Sequence, residues 1–205
     1  TVDGGYIIIG YSLSFENGGS GILLIKTDSN GDEEWSQTFG GIWGSSGQQT
    51  TDSGYIITGS TQSYGNGSAD VWLIKTDSNG NEEWNHTFGG SSWDDGWSVL
   101  QTNDIGYIIV GSTFSFGNGG RDVWLIKTDS NGNQEWNHTF GGANRDEGKS
   151  VQQTTDGGYV ITGGTESYGN GGRDVWLIKT DSEGNTVPYL SLIHMGRCRR
   201  RGEGR

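Results

Sequence analysis

Two stretches gather side chains suited to holding a polar ligand, "GGSSWDDGW" at 89–97 and "GGANRDEGK" at 141–149. Trp93, Asp94, Asp95 and Trp97 in the first, with Arg145, Asp146 and Glu147 in the second, combine flat apolar rings with hydrogen-bonding charges. Such a mixture suits a sugar or a peptide, because rings cover apolar C–H surface while carboxylates and guanidiniums bind hydroxyl and amide groups. Arg121 with Asp122, and Arg173 with Asp174, repeat the theme 52 residues apart. A structural use of the same letters competes: each Asp accepts N–H groups of its own Gly-rich loop and each Arg pairs with it. Repetition favours that use, since one reaction centre takes unlike residues from different segments.

Other chemistries have weaker footing. "DSNGDEE" (28–34) and "DSNGNEE" (77–83) start like a calcium loop, but they run straight into Trp35 and Trp84 where further oxygen ligands belong. An Asn-Gly hairpin turn uses the same residues, and no metal is expected. His86 and His138 stand where the first copy has Gln37, an exchange that fits a hydrogen-bonding side chain and not a general base. Residues 1–187 hold no Cys, and no nucleophile with its base emerges. No catalytic residue and no cofactor is assigned, and the chain is read as not an enzyme. Asn66, Asn85 and Asn137 begin N-x-S/T triplets, which matter only in a glycosylating compartment.

The elements that must position these residues repeat four times. Tyr6, Tyr55, Tyr107 and Tyr159, and likewise Lys26, Lys75, Lys127 and Lys179, recur at spacings of 49, 52 and 52. One unit divides into four strand-like runs: "SVLQT" (98–102), "YIIVGST" (107–113), "DVWLIKT" (122–128) and "EWNHTF" (135–140). Between the last two stands "DSNGN", whose Asn-Gly supplies the positive φ angles of a tight hairpin. Neighbouring runs are therefore expected to be antiparallel. The second and third runs are apolar on both faces, so each small sheet must be covered on both sides.

Four strands in about 50 residues, sandwiched between copies of themselves, describe a blade of a β-propeller. The fold expected is all-β, with four antiparallel blades at about 1–41, 42–90, 91–142 and 143–187. The first lacks its opening run and the last its closing run, so an incomplete ring or open arc is expected, continued by further blades or domains of a longer chain. "YVITGGTESYGNGGRDVWLIKTDSEGN" (159–185) resembles a kelch-type blade. The units are also similar to the "DGGYI … DVWLIK … GN … W … FGG" repeats of large, mostly uncharacterised microbial secreted and surface propellers. That likeness implies an extracellular or cell-surface scaffold of adhesion type, binding protein or glycan. The alternative is the propeller portion of a polysaccharide-active enzyme with catalytic residues elsewhere. In propellers generally, the loops joining second to third strands and one blade to the next share the ligand face. That face would carry Trp93, Asp94, Asp95, Trp97, Arg121, Asp122, Arg145, Asp146, Glu147, Arg173 and Asp174.

Composition narrows the partners. Gly reaches 39 residues while Ala occurs at 69 and 143 alone, so helix formers are scarce. The chain has 13 basic and 25 acidic residues, and five Arg and Glu203 lie in 188–205, which leaves eight against 24 in residues 1–187, a net of −16. Such a surface repels phosphate, so nucleic acid is not an expected partner. Apolar runs stop at four residues, as in Ile22–Ile25, so no membrane-inserting helix is expected. From residue 188 the pattern breaks into "PYLSLIHMGRCRRRGEGR", with the chain's one Pro, Met and Cys. This tail is expected to be foreign to the repeats, resembling translated adapter sequence from metagenomic reading frames, and is set aside from functional reasoning. The chain also starts without Met or an apolar leader and is expected to be a piece of a longer protein.

Overall fold

A computed structural model describes residues 1–15, 19–169 and 171–187; the tail from 188 lies outside the described residues. Fourteen strands form four antiparallel sheets, and no helix occurs among the described residues. The first sheet holds β1 (Tyr6–Phe15), β2 (Gly19–Thr27) and β3 (Glu33–Gly40). The second holds β4 (Trp43–Gln49), β5 (Tyr55–Thr61), β6 (Asp70–Thr76) and β7 (Glu82–Phe88). The third holds β8 (Asp94–Gln101), β9 (Tyr107–Thr113), β10 (Asp122–Thr128) and β11 (Gln134–Phe140), and the fourth β12 (Asp146–Gln153), β13 (Tyr159–Thr165) and β14 (Asp174–Thr180). Strands are ordered in each sheet as in the chain, so successive strands of a sheet are antiparallel neighbours, and the chain passes to the next sheet after β3, β7 and β11.

The second and third runs fall where the apolar pattern puts them, and β5, β6, β9 and β10 are buried along their whole lengths. The opening strand differs from expectation. In the third sheet it starts at Asp94, not Ser98, and pairs Asp94 with Thr113 and Asp95 with Ser112. A bulge between Gly96 and Ser98 then shifts the register. The extra residue, Trp97, breaks the period-two alternation that marks a strand in sequence, so the pairing upstream of it is hidden. The same bulge lies between Gly44 and Ser46 and between Gly148 and Ser150.

Sheets are joined face to face by a repeated set of contacts. Tyr55 meets Trp35 of the preceding sheet edge-on with 5.6 Å between ring centroids, and Tyr107 and Tyr159 meet Trp84 and Trp136 at 5.8 and 6.0 Å. The hairpin between the third and fourth strands rests on the same indole. Gly132 there has φ 81°, and a Cβ on it would come within 2.6 Å of Trp84 and 2.5 Å of His86, so both the turn and the approach exclude a side chain. The Asp carboxylate of the hairpin serves the turn itself: Asp129 Oδ1 accepts the N–H groups of Asn131 and Asn133 at 2.8 and 2.9 Å. His86 Nε2 donates to the carbonyl of Asn131 at 3.0 Å, tying one sheet to the next hairpin. The repeated lysine is an internal clamp. Lys127, 3% exposed, bridges Asp104 in one hairpin and Glu135 in the last strand at 2.9 and 2.8 Å.

The opening strands also contact each other across sheets, β4 on β8 and β8 on β12, so the sheets fan about the side where these strands lie. The two outer faces of the fan are uncovered: Tyr6 is 58% exposed and Val175 63%, whereas Tyr55, Tyr107, Tyr159, Val71 and Val123 are buried. No closed ring forms among the described residues.

Candidate functional site

The eleven residues singled out in the sequence separate into two groups. Asp94, Asp122 and Asp146 are fully buried and serve loops of their own sheets. Asp146 Oδ2 accepts Gly142 N–H at 3.0 Å and the Ser167 hydroxyl at 2.6 Å, and Asp94 Oδ2 accepts Gly90 N–H at 2.9 Å and the Ser115 hydroxyl at 2.6 Å. Asp122 Oδ2 accepts Asn118 N–H at 2.6 Å, but its Oδ1 is buried without a hydrogen-bond partner. A Cβ on Gly141 would collide with that Oδ1 and lie 2.8 Å from Asp146 Oδ2, so two carboxylates meet across the glycine. Burial, with Asp146 adding to it, pushes the Asp122 carboxyl above its ordinary value, and Asp70 is raised in the same way beside Asp94. Asp174, half-buried, is the counterpart in the fourth sheet. These carboxylates are turned into the protein and frame the loops.

The second group converges. Arg121, buried at the start of β10, reaches Asp95 on its own sheet and Glu147 Oε1 on the next, the latter at 2.7 Å. Arg145 Nη2 binds the same Glu147 oxygen at 2.5 Å; Arg173 and Lys149, the latter at 3.5 Å, take its Oε2. Four cations thus converge on one carboxylate that is 2% exposed. Burial works to raise the Glu147 carboxyl, but Arg145, Lys149 and Arg173 outweigh it and hold it at about 2. Glu147 saturates none of the outer cations sterically: the side chains of Arg145, Arg173 and Lys149 stay 50, 46 and 39% exposed.

Trp93 and Trp97 belong to the same place. Trp93 Nε1 donates to Asp95 Oδ1 at 2.7 Å, and its ring lies 6.0 Å from Trp43. Lys149 Nζ sits over the Trp97 ring, 3.5 Å from its centroid, a cation–π contact. Trp97 in turn walls a cavity of about 550 Å³ shared with Tyr11, Leu13, Ser20, Trp43 and Ser45. No protein-family model matches the chain, and comparison with curated proteins gives no match. The site must therefore be judged on its own chemistry.

Sequence reading passed over Lys149, Trp43 and Tyr11. A signal for the first two was present: the bulged opening strands place Trp43, Asp95 and Glu147 at one equivalent position, and Ser45, Trp97 and Lys149 at the next but one. Copies nearly identical elsewhere differ at these places, and the sheets bring the differing residues together. Tyr11 carries no comparable mark.

Proposed function

We propose that the four sheets are blades of a kelch-like β-propeller, and that the protein is a non-enzymatic extracellular or cell-surface scaffold that binds protein or carbohydrate, as an adhesion module does. One observation carries the reading: residues that differ between otherwise matching copies converge, from three sheets, on a cavity and a cluster of partly exposed charges. A pure spacer needs no such departure from its repeat, whereas a binding site requires unlike groups side by side. The cavity has the size of a small-ligand site and is walled mainly by aromatic and apolar side chains with a few polar groups at its edge. The extracellular placement rests on the likeness of the repeats alone. A glycan array, run beside a panel of immobilised polypeptides, tests binding. Retention that falls in the Trp97→Ala variant supports the reading; absence of retention on both supports refutes it, and release of shortened glycan favours the enzymatic alternative.

A further inference from the structure

The cavity and the cationic cluster adjoin at Trp97, and Lys149 and Arg173 line a neighbouring recess together with Asp174. One part of this indole lines the cavity, and Lys149 lies on its ring. Beyond Lys149 come Arg173 and Arg145, all three tied to Glu147 and all partly exposed. The ion pairs here join four cations, Arg121 included, to the two carboxylates Asp95 and Glu147. The groups of this cluster that pair with Glu147 and stay partly exposed are all cations, while Asp94, Asp95, Asp146 and Glu147 beside them are buried. Exposed cations grouped at a concave surface draw anions toward it. Burial, with the Arg121 and Arg173 guanidiniums adding to it, holds the Lys149 ammonium below its ordinary value, a crowding that an incoming anion relieves.

We infer that this is a single site for an acidic oligosaccharide: a pyranose ring lies against Tyr11, Trp43 and Trp97, and a carboxylate of the same or the adjoining sugar is taken by Lys149, Arg145 and Arg173. The inference rests on the binding reading above and names its ligand class. Aromatic walls favour the flat C–H face of a pyranose, and a volume of about 550 Å³ holds one or two sugar rings. Three partly exposed cations beside the cavity suit a carboxylate repeated along a chain, because each sugar brings one charge and the rings supply the shape. A neutral glycan leaves the cations unused; an acidic peptide without rings leaves the aromatic walls unused.

Quenching of tryptophan fluorescence measures the interaction with oligogalacturonate, its fully methyl-esterified form and oligoglutamate, each of about four residues. The acidic sugar is expected to bind at least tenfold tighter than either comparison, and to weaken as salt is raised. Lys149→Gln and Arg145→Gln each lower its affinity about tenfold and leave the esterified form unaffected. Tyr11, 61% exposed, provides a variant that does not threaten the fold, and Tyr11→Ala weakens acidic and esterified sugars alike. Equal binding of acidic and esterified sugars overturns the anionic assignment and leaves the binding reading intact. Oligoglutamate binding as tightly as oligogalacturonate overturns the carbohydrate assignment. Failure of all three probes overturns this inference, and retention on the glycan or polypeptide panel then shows whether the broader reading survives.

Discussion

Replacing Asp122 by Asn is expected to stabilise the protein at about pH 8. In the wild type Asp122 Oδ1 is buried without a partner and faces Asp146 Oδ2 across Gly141, while Oδ2 is held by Asn118 N–H at 2.6 Å. Ionised, the pair sets two negative charges side by side in a site closed to water. Asn keeps the acceptor for Asn118 and turns an amide N–H toward Asp146, so a repulsion becomes a charge-assisted hydrogen bond. Replacing an unpartnered buried acceptor by a paired donor is worth about 1–3 kcal/mol, which for a domain near 200 residues raises the melting temperature by roughly 2–10 °C. The sign follows from linkage. Asp122 titrates above its unfolded value, so its folded form is favoured below that value, and the advantage is lost as pH rises through the raised folded value. As pH falls to the unfolded carboxyl value the protonated wild-type side chain makes the same bond as the amide, and the two proteins converge. Urea unfolding followed by tryptophan fluorescence at both pH values measures this. Destabilisation by Asn at about pH 8, or a gain that does not shrink in acid, refutes the reasoning. Asp70→Asn repeats the test at the preceding sheet junction, where Asp70 Oδ1 is likewise unpartnered beside Asp94.

Arg121→Met removes a buried bridge and leaves Asp95 short of its cation, so a loss of about 3–5 kcal/mol is expected; Arg173→Met, at an exposed site, costs about 1 kcal/mol or less, and chemical melts compare the two. Gly132→Ala forces a side chain into a positive φ and against Trp84, with an expected loss of about 1–3 kcal/mol in the same assay. Burial raises the phenols of Tyr107 and Tyr159 to about 12, so ultraviolet titration at alkaline pH should show two tyrosines ionising only as that pH is approached. Ionisation of every tyrosine together near pH ~10 shows that these two rings are not enclosed.

The sheets were legible because their signals are local and said four times. Two apolar runs fix β9 and β10 to the residue, the Asn-Gly turn places β11 to within one residue, and the order of strands in each sheet follows from their succession. The beginning of β8 was not legible. Its bulge at Trp97 suspends alternation, and Asp94 and Asp95, read as loop residues on polarity, are ladder residues whose burial is made tolerable by Ser115, Ser60 and Arg121 in other segments. The candidate site was half legible. Arg121, Arg145, Glu147 and Arg173 stand out by type, but Arg121 and Glu147 meet across 26 positions of sequence and two sheets, and nothing in either segment alone announces the pairing. Lys149 and Trp43 become visible once the bulges show which positions correspond.

The packing of the hairpin glycines Gly80, Gly132 and Gly184 on Trp35, Trp84 and Trp136 of the sheet before gives the array a direction. A unit finishes the one that precedes it and leaves its own tryptophan for the one that follows, so no unit is self-sufficient and all are interchangeable in grammar. Duplication or loss of a whole unit by recombination then recreates the same glycine-on-indole contact at the new junction, whereas pairs particular to one junction, such as Arg121 with Glu147, have to be matched anew. Damage stays equally local: a lesion at one indole loosens its own junction and the next hairpin, and distant units keep their couplings.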